Sequence, residues 1–280
     1  MANENRNADA SPGAITASFP IPPMSDSFAR LLSFTEDDRQ NPRLLELLVH
    51  KDPGAVALLL KLANSPLYRR TRSVSSVSDA LTVLGSDLAV AALFGMWAIA
   101  ELDVPPINLV VRGWLARHTF SLCATIRRML QYGRLDEGVS FLDLQLTALL
   151  DKLALATYLS VTETGSEIEV LRDAYSRNSH ALHQEENLTP MFGRSVELAR
   201  AWGVGGSVEE NLEALSSWQE RRLLIPQGSQ AVLLGELLLA ESGQEGGAHE
   251  ELMDEFYETS TLMHHLVKLR VVPARLAVRF

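Results

Sequence analysis

Residues 51–70 read KDPGAVALLLKLANSPLYRR, and this stretch contains the signals for both ends of a helix. Asp52 supplies an N-cap side chain, and Pro53 follows at the first helical position, where a missing N–H is tolerated. The apolar residues that come next repeat on one helical face. Asn64-Ser65-Pro66 then stops the helix, because a residue before proline is pushed out of the helical region and asparagine tolerates the left-handed conformation that often ends a helix. The stretch therefore predicts a short amphipathic helix with defined ends.

Helix signals of the same kind recur along the chain. Asn41-Pro42 repeats the N-cap and proline pair, Ser76 caps a short helix, and Gly85 ends it. The uncharged apolar run 88–100 has 13 residues, fewer than the roughly 20 that a bilayer span needs, so it predicts a buried core helix. Residues 143–159 are apolar nearly all round and are expected to be central. Since no strand pattern competes, the sequence predicts an all-α protein.

Composition narrows the class of protein. The chain of 280 residues has a formal net charge of −10, which argues against general nucleic-acid binding and against an anionic membrane surface, since both rely on clustered Lys and Arg. Its single cysteine, Cys123, allows no intramolecular disulfide and no cysteine zinc cluster. The N-terminus also lacks the pattern of a secretory signal. These features predict a cytoplasmic protein with no membrane partner.

The chain divides at changes in composition. Its predicted parts are a disordered tail (1–15), a helical domain (16–220) with an N-terminal helical part (16–104) and a second part (107–220), and a C-terminal helical extension (221–280). Pro105-Pro106 separates the two parts of the helical domain. The long helix expected from about residue 250 leaves two alternatives open, since it could pair subunits in a homodimer or fold back on the core.

The order and spacing of these motifs resemble the HDOD domain, the HD-related output domain of bacterial signalling proteins. The residues that carry the resemblance are the proline-rich PIPPM at 20–24, Asp52-Pro53, Asn64-Ser65, the serine region 73–78 and Leu84-Gly85. The resemblance is specific over about 20–102 and weaker from there to about 220. It implies an HD-domain-like multi-helix bundle with an N-terminal helical subdomain.

The resemblance also implies where a metal site would have been. In the related HD phosphohydrolases a histidine, an adjacent His-Asp pair and a distant aspartate hold metal ions that activate water. His118 resembles the first of these ligands, but Asp151-Lys152 stands where the His-Asp pair is expected. An ammonium group at Lys152 would repel a divalent cation at close range. We therefore expect no metal, no cofactor and no catalytic residue, with His118, Asp151 and Lys152 as relics of the site.

Other histidines supply an alternative ligand set. His180 and His183 are three residues apart and could share a helix face, although the polar sequence around them indicates a solvated connector. The adjacent His264-His265 would point about 100° apart on a helix and make a poor chelate. A metal-dependent phosphohydrolase with substituted ligands would use His118, Asp151, His180 and His183.

The turn after the helix at 53–63 has two interpretations. Asn64-Ser65 either stops the helix through local side-chain hydrogen bonds or forms a surface that a partner recognises. The candidate partner-binding residues are Asn64, Ser65, Tyr68, Arg69, Arg70 and Arg72. Arginines beside a tyrosine could also take a phosphorylated ligand. The sequence leaves both interpretations open.

Two functions from different classes follow. The favoured hypothesis is a non-catalytic module of bacterial signal transduction that acts by protein–protein contact with other signalling proteins or by sensing a small ligand, for example a nucleotide second messenger. The alternative is the phosphohydrolase with substituted ligands. The sequence identifies neither the pathway nor the input signal.

Overall fold

The computed structural model describes residues 21–66, 68, 73–100, 102–132, 140–221 and 224–242. The predicted disordered tail, the arginines at 69, 70 and 72, and the long helix expected from about residue 250 lie outside these ranges. Residues 69, 70 and 72 belong to the candidate partner-binding turn, so that turn is only partly described.

Within the described ranges the chain forms helices and no β-strand, which confirms the all-α prediction. The α-helices are α1 (Asp26–Leu32), α2 (Glu36–Gln40), α3 (Pro42–Val49), α4 (Pro53–Ala63), α5 (Val77–Leu84), α6 (Ser86–Gly95), α7 (Leu109–Tyr132), α8 (Phe141–Val161), α9 (Ser166–Arg177), α10 (Thr189–Ala201), α11 (Ser207–Ser216), α12 (Trp218–Arg221) and α13 (Gln227–Ser242). Three 3₁₀ turns lie at Pro106–Asn108, Leu182–Gln184 and Glu186–Leu188.

The start of α4 is capped as its sequence predicts. Asp52 Oδ1 accepts hydrogen bonds from the backbone N–H groups of Gly54 (2.8 Å) and Ala55 (3.2 Å). The other carboxylate oxygen accepts a hydrogen bond from Trp97 Nε1 at 2.5 Å. One side chain therefore caps α4 and also ties it to the helix that follows α6.

The end of α4 is set by the side chain of Asn64. Its amide donates to the carbonyl oxygens of Leu60 (2.9 Å) and Val74 (2.7 Å), and its oxygen accepts from Val74 N–H (2.9 Å). The expected left-handed conformation was wrong, because Asn64 has φ −92° and ψ 0°. These side-chain bonds satisfy the helix end and hold the chain ten residues onward, so a left-handed residue is not needed there.

The apolar run at 88–100 is buried as predicted, but it is not one uniform helix. Helix α6 ends at Gly95, and a π-helix continues it over Met96–Ala100. Trp97 and Ile99 of the π-helix are buried in the same core as α6. A π-helix is rare and often marks a functional site.

Helix α8 is the centre of the bundle. Its residues from Leu144 to Leu159 are all buried, and α7, α10, α11 and α13 pack around it. By length and composition alone α8 could cross a membrane, but 89% of its most apolar window is buried inside the protein. Because neighbours cover every side, its apolar character is accounted for by this central position.

Helix α13 lies in the region predicted as a C-terminal extension. It packs against α7, α8 and α11, and its Val232, Leu234 and Leu237 are buried in the core. A Cβ atom at Gly235 would come within 2.8 Å of Leu122 Cδ1 on α7, so the glycine allows the two helices to approach closely. Residues Gln227–Ser242 are therefore part of the packed core, and they place a side chain in the site described next.

Candidate functional site

Five ionisable side chains meet in the interior between α7, α8, α13 and the 3₁₀ turn Leu182–Gln184. We call them the buried charge cluster: His118, Asp151, Lys152, His183 and Glu236. Each is at most 1% exposed. Charged groups are almost never buried to this extent unless they are paired, so their mutual contacts determine what the site can do.

Lys152 lies between the two carboxylates of the cluster. Its ammonium Nζ contacts Asp151 Oδ2 and Glu236 Oε1 directly. The ring centroid of Phe192 lies 5.3 Å from Nζ, within range of a cation–π interaction. An amine that belongs to the chain thus provides positive charge between the two acids.

His183 bridges the same two carboxylates. Its Nδ1 lies 3.0 Å from Glu236 Oε2, and its Nε2 lies 3.3 Å from Asp151 Oδ1. The imidazole stacks on the ring of Phe192 with centroids 4.1 Å apart, and its backbone carbonyl accepts a hydrogen bond from Trp218 Nε1 at 3.1 Å. These contacts orient the ring so that both nitrogens face a carboxylate.

His118 is attached to the cluster more loosely. Its Nε2 lies 3.7 Å from Glu236 Oε1, which is too long for a hydrogen bond. Its Nδ1 is 2.9 Å from Nδ1 of His180, and the two rings are stacked with centroids 5.2 Å apart. One of these two Nδ1 atoms must donate and the other accept, so the pair requires different tautomers on the two rings.

The surroundings shift the pKa values so that the cluster is electrically balanced. Burial favours the neutral form of each group, but Lys152 and His183 together lower the pKa of Asp151 and hold that of Glu236 well below its usual value. The two carboxylates in turn outweigh burial and raise the pKa values of Lys152 and His183. At His118 burial prevails over the attraction of Glu236 and lowers the pKa. Two anions therefore face two cations, beside a neutral imidazole.

The cluster contains the right atoms for a metal site. Asp151, His183 and Glu236 each offer one ligand atom, and these atoms lie within 4.8 Å of one another. Carboxylate oxygen and imidazole nitrogen are common ligands of catalytic zinc, for which three protein ligands suffice.

The ammonium group does not fit with such an ion. Lys152 Nζ already binds one oxygen of each carboxylate, and it would repel a divalent cation placed between the same acids. The residues present therefore do not fit a bound metal while Lys152 keeps this position and its charge.

The structure brings together some of the residues that the sequence singled out. His118, Asp151 and Lys152, which the resemblance singled out as relics of a metal site, meet in the buried charge cluster, and His180 contacts His118. The interpretation of the segment around His183 as a solvated connector was wrong, because that side chain is fully buried. Its polar neighbours Gln184 and Glu185 are half-buried and Asn187 is exposed, and this polar pattern hid the buried positions Leu182 and His183.

Glu236 was missed by the sequence reasoning. A signal was present, because Glu236 is the lone charge within the apolar stretch AVLLGELLLA. An acidic residue on a helix buried all round needs a partner. Sequence alone does not show that this partner lies on α8.

At its first residue, Asn64, the candidate partner-binding turn is held by hydrogen bonds within the protein. The four side-chain hydrogen bonds of Asn64 go to Leu60, Ser73 and Val74, so this side chain has a structural role, and three of the four bonds reach nine or ten residues along the chain. Tyr68 is partly buried, and this burial raises the pKa of its hydroxyl. Recognition of the turn by a partner stays a prediction.

Comparisons with known proteins agree with this architecture. Residues 21–211 match the HDOD domain. Among solved structures, the chain is similar to one described as "Putative metal-dependent phosphohydrolase from Shewanella amazonensis SB2B", with a TM-score of 0.53, 15% sequence identity, and coverage of 88% of this chain and 90% of that one. At this identity the likeness shows a shared fold alone. No curated protein matches the chain. With the HDOD match covering well over half of its length, this all-helical chain belongs to the HDOD family.

Proposed function

We propose that this HDOD chain is a non-catalytic regulatory module of bacterial signal transduction, which works by contact with other signalling proteins or by sensing a small ligand in the cytoplasm. The observation that supports the proposal is the position of Lys152 between Asp151 and Glu236. A metal ion in an HD enzyme activates water and stabilises charge on the phosphate under attack. The ammonium of Lys152 is attached to the chain and already paired with two carboxylates. It therefore offers no open coordination position for water or for a phosphate.

The same contacts give the cluster a structural role that suits a regulator. Lys152 on α8 and Glu236 on α13 are held together with His183 of the intervening 3₁₀ turn. Breaking such a network would leave buried charges unpaired, so the helices tend to keep one arrangement or shift together. A partner that binds one helix packing better than another would then transmit a signal by changing the populations of the two.

Metal content and hydrolysis test the absence of catalysis. Purified wild-type protein is analysed for bound metal and assayed with Mn²⁺ against a phosphodiester substrate, with Lys152→Met as the matched variant. We expect neither stoichiometric metal nor turnover in the wild type. The variant should gain Mn²⁺ affinity, because the three ligands are then free of the ammonium. Stoichiometric metal and turnover in the wild type, both lost in Asp151→Asn, would overturn the proposal.

Binding measurements test the regulatory role. Calorimetry with candidate signalling proteins and with cyclic dinucleotides should reveal one ligand whose affinity falls when Arg69 and Arg70 are both changed to Ala. The exposed Arg30 and Arg43 of α1 and α3 supply the charge-matched control, and their double replacement should leave that affinity unchanged. Equal losses of affinity in both double variants would indicate a general charge effect and would contradict recognition of the turn by a partner.

A metal-dependent phosphohydrolase is the second candidate, and a specific observation favours it. Three buried atoms of the cluster make no well-aligned hydrogen bond within the described residues: His118 Nε2, Asp151 Oδ1 and His183 Nε2, the last two 3.3 Å apart. Such atoms are what a small cation or a water molecule would satisfy. The metal analysis described above distinguishes this function from the regulatory one.

A further inference from the structure

An apolar cavity of about 220 Å³ lies between α4, α6, the π-helix and α7. The lining residues on which the inference depends are Leu58, Leu62, Met96, Gly113, Arg117 and Phe120. None of its lining residues belongs to the buried charge cluster. The cavity is therefore a second candidate site, separate from the buried charge cluster.

Gly95 and Gly113 line this space and help to leave it open, although no close contact with a neighbour requires a glycine at either position. A Cβ atom added at Gly95 would meet Ala116 O at 3.5 Å, and one added at Gly113 would meet nothing nearer than Nη1 of Arg117 at 3.5 Å. Both distances are ordinary van der Waals contacts, so a methyl group at either position would fit without displacing a neighbour. Most of the lining residues are half-buried, so the space is open to solvent on one side, and it adjoins a π-helix, a feature often found at functional sites.

Arg117 gives the cavity its only charged wall. Its side chain is exposed, and within the part of the chain that the structure describes it has no ion pair and no hydrogen bond. The remaining lining residues are all apolar or glycine. A ligand that satisfies both features has an apolar body for the cavity and one anionic group for the guanidinium.

The volume limits the size of that body. An engineered apolar cavity of about 150 Å³ binds benzene, so the cavity measured here suits a short acyl chain or a single ring rather than a long lipid. We propose that this cavity binds a small amphiphilic carboxylate, with its hydrocarbon part between α4 and α7 and its carboxylate on Arg117. The assignment goes beyond the proposed function, which concerns the buried charge cluster, and it holds whether or not that cluster binds metal.

Octanoate tests the proposal, with octanol and octylammonium as probes of the same length but different charge. Wild-type protein should bind octanoate with a dissociation constant below about 1 mM and should bind octylammonium most weakly. Arg117→Gln should weaken octanoate binding about fivefold, a modest factor because the guanidinium is exposed, and should leave octanol binding unchanged. Arg128→Gln is the matched control, since Arg128 is also exposed on α7 but does not line the cavity. Gly113→Leu should abolish binding of both octanoate and octanol by filling the space.

A measurement on the wild-type protein keeps the test decisive if a variant folds poorly. With methyl-labelled methionine, octanoate should shift the NMR signal of Met96, which lines the cavity. The signals of Met129 and Met191, which are buried in other parts of the core, should stay unchanged. Two results would overturn the proposal. One is no binding at octanoate concentrations several times above 1 mM, and the other is a shift at Met129 and Met191 without one at Met96. The same holds if Arg128→Gln weakens octanoate binding as much as Arg117→Gln does.

Discussion

Replacing Lys152 by methionine tests the central feature of the site. Methionine has a similar length and can remain in the core, but it leaves Asp151 and Glu236 buried with His183 as the only remaining cation of the balanced set. The wild-type cluster holds two anions and two cations, so the variant carries one unbalanced negative charge among side chains that are each at most 1% exposed.

The expected cost follows from the burial of all three groups. Removing one partner of a buried ion pair destabilises a protein by about 3–5 kcal/mol, a large fraction of the roughly 5–15 kcal/mol that holds a domain folded. The variant can reduce this cost by taking up a proton, because Lys152 is the strongest of the groups that lower the pKa of Glu236, and without it the effect of burial is opposed by His183 and His118 alone. A carboxyl whose folded pKa lies above its unfolded value loses stability as pH rises. The difference between variant and wild type should therefore be smaller at pH 5 than at pH 8.

Urea unfolding measures the effect, with a double-mutant cycle to isolate the pair. Lys152→Met, Glu236→Gln and the double variant are compared at both pH values, with Lys61→Met as the control because Lys61 is exposed on α4. We expect the control to stay within about 0.5 kcal/mol of the wild type. The double variant should be more stable than the sum of the single effects predicts, by at least about 1 kcal/mol.

Two results would refute the reasoning. A free energy of unfolding of Lys152→Met within about 0.5 kcal/mol of the wild type would show that the substitution has no more effect than a surface change. Strict additivity in the cycle would show that Lys152 and Glu236 do not interact in the folded protein.

The remaining predictions concern pH, a helix end and a helix contact. Because the pKa values of Asp151 and Glu236 are lowered on folding, their contribution to stability is complete above their unfolded values near 4 and is lost as pH falls; urea midpoints measured from pH 7 to pH 3 should fall less steeply when both are replaced by their amides. Asn64→Ala should cost about 1–3 kcal/mol by leaving the backbone groups that it binds unpaired, and thermal unfolding that matches the wild type would contradict this. Gly235→Ala should destabilise by about 1–3 kcal/mol through overlap with α7, whereas Gly193→Ala, at an exposed helical position with no atom within 4 Å of the new Cβ, should be neutral or stabilising.

Local sequence predicted the helices well where the determining contacts are local. The caps of α4 depend on residues within a few positions of each helix end, with the exception of the bonds that join Asn64 to Ser73 and Val74. The π-helix after α6 was not predicted, because an apolar run looks the same in an α-helix and in a π-helix. The π-helix packs against α7, and the local sequence does not show that contact.

The sequence by itself determined that the chain is helical, where α4 begins and ends, and which family the N-terminal motifs indicate, and the resemblance to that family led us to expect a metal ligand where Lys152 stands. Only the tertiary structure decided what that lysine does. The partners of Lys152 and His183 include Glu236, which is 53 residues from His183 and lies on a helix that looked like an appendage. Helix signals act over a few residues of chain, whereas pairing of buried charges depends on which helices pack together, and a linear pattern does not record that.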